Sequence, residues 1–126
     1  MTRLPSLSME EFHGYWLEKH APLVRAAAAA LRIRRYTQSH YFSDPRIAPA
    51  IAARGCAVNP FDGVAEVWWD SVEDIVAAGA TPEGRRYGRQ LLEDERKFID
   101  LARSSLFYAN EHEIIHQDRR AFSSGA

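Results

Sequence analysis

Phe61-Asp62-Gly63-Val64-Ala65-Glu66-Val67-Trp68-Trp69-Asp70-Ser71 is the stretch on which the fold turns. Valines and tryptophans set between a glycine and an Asp-Ser pair suit a pleated, half-buried surface, so residues 63–69 read as a β-strand. Asp70-Ser71 then marks a turn into a helix near residues 72–78. Upstream, residues 33–42 read as a second strand. Tyr36, Gln38, His40 and Phe42 share one of its faces, and Arg35, Thr37, Ser39 and Tyr41 the other. Downstream, Thr81 with Pro82 at the first helical position opens a longer helix. Its apolar stripe is Tyr87, Leu91, Phe98 and Leu101. Residues 105–116 read as a last strand and 117–126 as a polar tail that frays.

Ahead of these lies a helix announced by its cap. Ser8 and Glu11 have capping-box spacing, with Leu7 in the staple position, and Phe12, Trp16, Leu23 and Ala27 recur at helical spacing. Pro22 removes a backbone donor and biases Ala21 away from helical dihedrals, which predicts a kink or break before the helix resumes to about Leu31. Residues 43–62 are irregular, with a helical turn around Ile51, and connections of that length are often lids or oligomer contacts. The order is helix, strand, strand, helix, strand. A ferredoxin-like subunit also needs a central strand before its first helix. Only Met1 to Leu4 could supply it, closed off by Pro5, so the first strand reads as truncated.

Composition narrows the class. A chain of 126 residues suits one domain, and 46% apolar residues suffice for a core. Sixteen basic residues against 17 acidic ones create no field that draws nucleic acid or an anionic membrane. Cys56 stands alone, which rules out intramolecular disulfides and multi-cysteine metal sites. No apolar run approaches the roughly 20 residues that span a bilayer, and Met1 to Ser8 lacks the apolar segment of a signal peptide. A cytoplasmic protein is expected.

Three stretches resemble proteins of the EthD family. They are Ser8-Met9-Glu10-Glu11-Phe12-His13-Gly14-Tyr15-Trp16 with His20-Ala21-Pro22-Leu23, the segment 61–71 quoted above, and Asp94-Glu95-Arg96-Lys97-Phe98-Ile99-Asp100-Leu101-Ala102-Arg103-Ser104. Their order and spacing identify residues 1–116 as an EthD-like domain. The resemblance implies an α+β chain, a ferredoxin-like subunit with an antiparallel sheet, paired as a homodimer into a dimeric α+β barrel. Relatives include polyketide cyclases, decarboxylases and dehydratases acting on aromatic compounds, and cofactor-free monooxygenases. By that resemblance the protein is a lyase, cyclase or monooxygenase working without a cofactor on a small aromatic or polyketide-like molecule. The alternative is a non-catalytic dimeric ligand-binding or accessory protein in a catabolic pathway.

The residues that could carry chemistry are few. His112-Glu113-Ile114-Ile115-His116 matches the HExxH zinc pattern, which works only on a helix, where the two histidines lie one turn apart. On a strand they are about 13 Å apart and cannot share an ion, so no metal is expected. His20, at the helix break, is the first candidate for proton transfer, or else it fixes the break by bonding a carbonyl. Tyr36, Gln38 and His40 form a polar row suited to orienting substrate oxygens, with His40 a second acid–base candidate. Glu66 is a carboxylate between Val64 and Trp68, either functional or paired with Arg35 or Arg103. Asp100 either caps the final turn or orients His20. Trp16 and Trp68 are the aromatic candidates for substrate contact, with Trp68 or Trp69 also expected in the dimer interface. Asp94, on the apolar stripe, is expected to pair with an arginine.

Overall fold

The computed structural model describes residues 1–57 and 61–117, and the capping box at Ser8 is realised in full. The Ser8 hydroxyl accepts from the Glu11 N–H at 3.0 Å, while Glu11 Oε1 accepts from the Ser8 N–H at 3.0 Å. Leu7 packs on the core cluster of Phe12, Trp16, Phe98 and Ile99, as a staple residue should. Helix α1 (Met9–Tyr15) begins there.

Of the kink or break expected at Pro22, the break does not occur. The chain passes from α1 through a π-helical turn (Trp16–His20) into α2 (Ala21–Ala27), and Ala21 keeps helical dihedrals of −55° and −41°. The Ala21 N–H reaches back five residues to the Trp16 carbonyl. Widening the turn in this way makes room for the proline ring and its missing donor without leaving the helix. The helix also ends earlier than Leu31. Arg32 adopts a positive φ of 57°, and the Ile33 N–H bonds the Ala28 carbonyl at 2.9 Å, a left-handed closure that caps the last carbonyls.

Strands β1 (Arg35–His40) and β2 (Gly63–Trp68) pair antiparallel, from Arg35 opposite Trp68 to His40 opposite Gly63. Tyr36, Gln38 and His40 share a face, as expected, and it meets Trp16 of the helical layer. Gly63 lies under the same indole: a Cβ there would stand 2.5 Å from Trp16 Cζ3. By alternation, Arg35, Thr37, Ser39, Val64, Glu66 and Trp68 form the outer face. Between the strands runs α3 (Ala48–Ala53), the turn expected around Ile51; residues 58–60 of that loop lie outside the described residues. Ser71 caps α4 (Val72–Ala80), and Thr81 with Pro82 opens α5 (Pro82–Glu95). Phe98 lies beyond the end of α5 yet is fully buried, and Leu101 sits half-exposed in a final 3-10 turn (Leu101–Arg103).

Met1 to Leu4 runs between the start of β2 and the Phe98–Asp100 segment, with one isolated bridge at Arg3. On one side Met1 donates to the Gly63 carbonyl at 2.7 Å and accepts from the Asp62 N–H at 2.7 Å. On the other, Arg3 bridges Ile99, Leu4 donates to Phe98 at 3.0 Å, and Asp100 donates to Thr2 at 2.8 Å. The predicted last strand is not formed. Residues 105–117 are irregular and exposed, with Leu106 and Phe107 each 82% exposed and Ile114 84%. A period-two pattern specifies which faces a strand presents, but a strand also needs a backbone beside it. No backbone hydrogen bond reaches residues 105–117 among the described residues. The tail expected over 117–126 lies, beyond Gln117, outside the described residues. Among the described residues no helix is long and apolar enough to cross a membrane.

Candidate functional site

The π turn carries His20 inward, where it is 5% exposed, and α5 brings Asp94, also 5% exposed, to meet it. His20 Nδ1 lies 2.7 Å from Asp94 Oδ2. The Tyr15 hydroxyl donates to Asp94 Oδ1 at 2.6 Å, and Lys97 Nζ stands 3.7 Å from the same oxygen. Burial pushes the Asp94 carboxyl up, but the hydrogen bonds from Tyr15 and His20, with the charges of His20 and Lys97, outweigh it and hold Asp94 below the usual carboxylate range. The hydrogen bond to Asp94, then burial and the carboxylate charge, push Tyr15 up to about 12. An ionised Asp94 can only accept, so His20 Nδ1 carries a proton and Nε2 is the nitrogen left for chemistry.

Two expectations are corrected here. The carboxylate that orients His20 is Asp94, not Asp100, and Asp94 pairs with Tyr15, His20 and Lys97 rather than an arginine. Asp100 does not cap its turn through its side chain; its carbonyl accepts from the Arg103 N–H and the Ser104 hydroxyl while its N–H donates to the Thr2 carbonyl.

A second polar group adjoins the first through Trp16. Gln38 Nε2 donates to the Trp16 carbonyl at 2.9 Å and to the Tyr36 oxygen at 3.1 Å, and Trp16 Nε1 donates to that oxygen at 3.2 Å. Gln38 Oε1 therefore faces His40, 2.8 Å from its Nε2, which must supply the proton. The bonds have one direction throughout. Tyr36 accepts twice, so its own O–H is turned toward whatever acceptor stands beside it. Burial raises the Tyr36 pKa, which keeps the hydroxyl protonated, whereas burial and then nearby His13 lower that of His40 and keep it neutral. His40 stacks on Trp16 with centroids 4.5 Å apart, and His13 lies 4.6 Å from it.

Glu95 was not singled out from the sequence. It is half-buried and has no side-chain hydrogen bond among the described residues; burial, against the pull of His20 and with the repulsion of Asp94, raises its pKa. It also acts on Tyr36, so one carboxyl lies within electrostatic reach of both groups. Its signal was the adjacent acidic pair Asp94-Glu95 at the end of an apolar stripe. Asp62, equally unforeseen, is buried and clamps Arg3 through both its N–H and its guanidinium at 2.8 Å.

The remaining candidates lie elsewhere. Glu66 is exposed on the outer face, away from His20, and pairs with neither Arg35 nor Arg103. Arg35 instead stacks over Trp68, 4.6 Å from the ring, and Trp68 Nε1 donates to Glu111. Trp69 is tied inward, donating to the Leu31 carbonyl at 2.8 Å. The HExxH segment is neither helix nor strand, and His116 pairs with Glu113 at 2.9 Å. Among the described residues no three His, Cys, Asp or Glu side chains are grouped to hold a metal ion. A groove of about 270 Å³ is bordered by His40, Phe42, Phe61 and Val64; a larger one of about 380 Å³ is bordered by Leu31, Trp69 and residues of α4 and α5, among them Ala78, Gly88 and Leu92. His20 borders neither.

Known proteins place the chain at the level of family. The decarboxylase claH of Passalora fulva is 24% identical over 106 residues, covering 82% of this chain and 67% of that protein. No solved structure matches the chain. Residues 4–102, which hold the capped first helix, both strands and the Asp94 to Asp100 segment, match the EthD domain, and the chain belongs to that family.

Proposed function

We propose that the protein is a cofactor-independent lyase of the decarboxylating kind, acting on a small aromatic or polyketide-like acid. The observation that carries this reading is the buried 2.7 Å contact between His20 and an ionised Asp94, with a Tyr36 hydroxyl that accepts from Trp16 and Gln38 and keeps its own proton to donate. Losing carbon dioxide from an aryl or β-keto acid leaves an electron pair on carbon that spreads onto a neighbouring oxygen. A Tyr36 O–H held as a donor suits that oxygen, since interactions that strengthen as charge develops lower the barrier. His20, steadied by Asp94 at Nδ1, then passes a proton to carbon from Nε2 and regains it from solvent. The name of the Passalora fulva relative supports the choice of a decarboxylase over a cyclase or monooxygenase. The working unit on this reading is a cytoplasmic homodimer, two ferredoxin-like subunits with their outer sheet faces opposed as a dimeric α+β barrel.

A second reading is a dimeric ligand-binding or accessory protein without turnover. It is favoured by the 380 Å³ groove, which holds no acid–base pair and does not border His20. One experiment separates the two. Carbon dioxide release is followed over a panel of hydroxybenzoic and β-keto aromatic acids, with His20→Ala, Asp94→Asn and Tyr36→Phe variants whose melting temperatures are measured alongside. Loss of the positioned acid–base group should cost about 10²–10⁴-fold in rate per folded molecule. Binding without release by any variant or the parent would leave the accessory reading standing. A destabilised His20→Ala protein with normal specific activity would assign His20 to the helix alone.

A further inference from the structure

Glycine inside a helix weakens it relative to alanine, so a helical glycine is explained where a side chain would collide with a neighbour. Gly84 is explained in this way. Where α5 meets the end of α4, a Cβ on Gly84 would stand 1.8 Å from the Ala78 carbonyl oxygen. Gly88, one turn further along α5, has no such reason: a Cβ there meets nothing within 4 Å, and the same holds for Gly79 on α4. Neither needs glycine's freedom of backbone, since Gly55 is the one glycine with a positive φ among the described residues. What the two missing side chains do is leave open the groove of about 380 Å³ that both glycines border.

The walls of that groove are apolar. Leu31, Ile75, Ala78 and Leu92 border it, and Trp69 spends its one N–H on the Leu31 carbonyl at 2.8 Å, so its ring adds apolar surface. Charge enters only through Arg85 and Arg89, one turn apart on α5. Arg85 donates one N–H to the Ala80 carbonyl at 2.7 Å, and neither guanidinium has an acidic partner among the described residues. A guanidinium holds five N–H donors in a planar fork that matches a carboxylate, so most of this capacity is unspent. The volume falls within the range of small-molecule sites. The bordering part of α5, Gly84 to Leu92, is about 12 Å long at 1.5 Å per residue, too short to seat a partner helix.

We infer that this groove is a binding site for a small carboxylic acid, with an aromatic or aliphatic body between α4 and α5 against Trp69 and a carboxylate on Arg85 and Arg89. Apolar walls favour a ligand with an apolar body, and two cations without a counter-charge favour an anionic head at one end of it. The inference rests on the ligand-binding reading of the groove and gives it a ligand class, but it does not rest on turnover. His20 borders no part of the groove, so an acid held here is not placed for proton transfer.

Titration of the nitrogen-15-labelled full chain with 2-naphthoate, followed by NMR, tests the site. Saturable shifts are expected at the Gly79 and Gly88 amides and at the Trp69 indole N–H. Affinity should be at least about 10-fold higher than for the neutral 2-naphthamide, as a charge-assisted hydrogen bond gives. Arg85→Gln/Arg89→Gln should erase that preference. Gly88→Leu should fill the groove and lower affinity at least about 10-fold, while a melting temperature at or above the parent's shows the helix intact. Its carbon dioxide release should equal the parent's, and a parent inactive on every acid leaves the titration unaffected, so the site and the catalytic reading fail separately. Equal affinity for acid and amide would overturn the anionic head. Shifts confined to Tyr36, Gln38 and His40, or no saturable shift at all, would overturn the site.

Discussion

Asp94 and Glu95 are neighbours with opposite electrostatic fates, and pH tells them apart. Asp94 has its folded pKa held below the ordinary 3.8, so it lends stability above that value and loses it as pH falls through the depressed one. Asp94→Asn should therefore lower the melting temperature at neutral pH and cost little in strong acid. Glu95 has its folded pKa raised above 4.5, so its contribution is complete below that value and is lost as pH rises through the elevated one. Glu95→Gln should raise the melting temperature at pH 7 by roughly 2–5 °C, the effect expected of a modest relief in a domain of this size. Thermal melts of the three proteins from pH 3 to pH 8 check both signs. A Glu95→Gln protein less stable at pH 7 would show that the carboxyl is better solvated than its burial implies. Neither role could be read from residue type: His20 and Asp94 are 74 positions apart, and only the fold decides which carboxylate meets which imidazole.

Elements were legible where their signals are local. Ser8 with Glu11, Ser71, and Thr81 with Pro82 each specify a helix start within four residues, and all three caps are formed. The alternation of Tyr36, Gln38 and His40 placed them on one face correctly. One element was misread and the form of another left open, because their outcome depends on distant partners. Pro22 could have broken the helix or widened it, and the Gln38 amide waiting at the Trp16 carbonyl favours widening. Residues 105–116 have a strand's pattern without a strand's neighbour. Gly63 marks where sheet and helix approach most closely. A methyl group there would press on Trp16 Cζ3 at 2.5 Å and on Cη2 at 2.9 Å, with the Ser39 carbonyl at 3.1 Å. Gly63→Ala should cost about 1–3 kcal/mol of stability, as overpacking of a filled core does, and shift the urea midpoint without changing the slope. An unchanged midpoint would mean that the indole can move aside.

At the scale of the molecule, the chain belongs to the EthD family, and its described residues form helices around a two-stranded antiparallel sheet. The outer sheet face carries Arg35, Thr37, Ser39, Val64, Glu66 and Trp68, a mixed polar and apolar surface that the proposed dimer would oppose to its copy. Gel filtration with light scattering should give twice 14.3 kDa, and a monomer at micromolar concentration would count against the proposed dimer. Metal content is a separate matter. With His112 and His116 on an exposed, non-helical segment, protein purified without a tag should hold no stoichiometric zinc by mass spectrometry. One equivalent of zinc lost on His116→Ala would reverse that conclusion.

The π turn at Trp16–His20 makes the molecule sensitive to chain length at one spot. A π turn is an α-helix with a single residue inserted, and each residue advances a helix by about 100°. Removing one exposed residue from it, Glu18 or Lys19, should let the hydrogen bonds close on the ordinary spacing while turning His20 by that angle relative to α1. Trp16 would keep its place over Gly63 as His20 swung away from Asp94. A one-codon deletion would thus leave a helix of ordinary geometry and a separated acid–base pair, a change that no substitution of either residue could imitate.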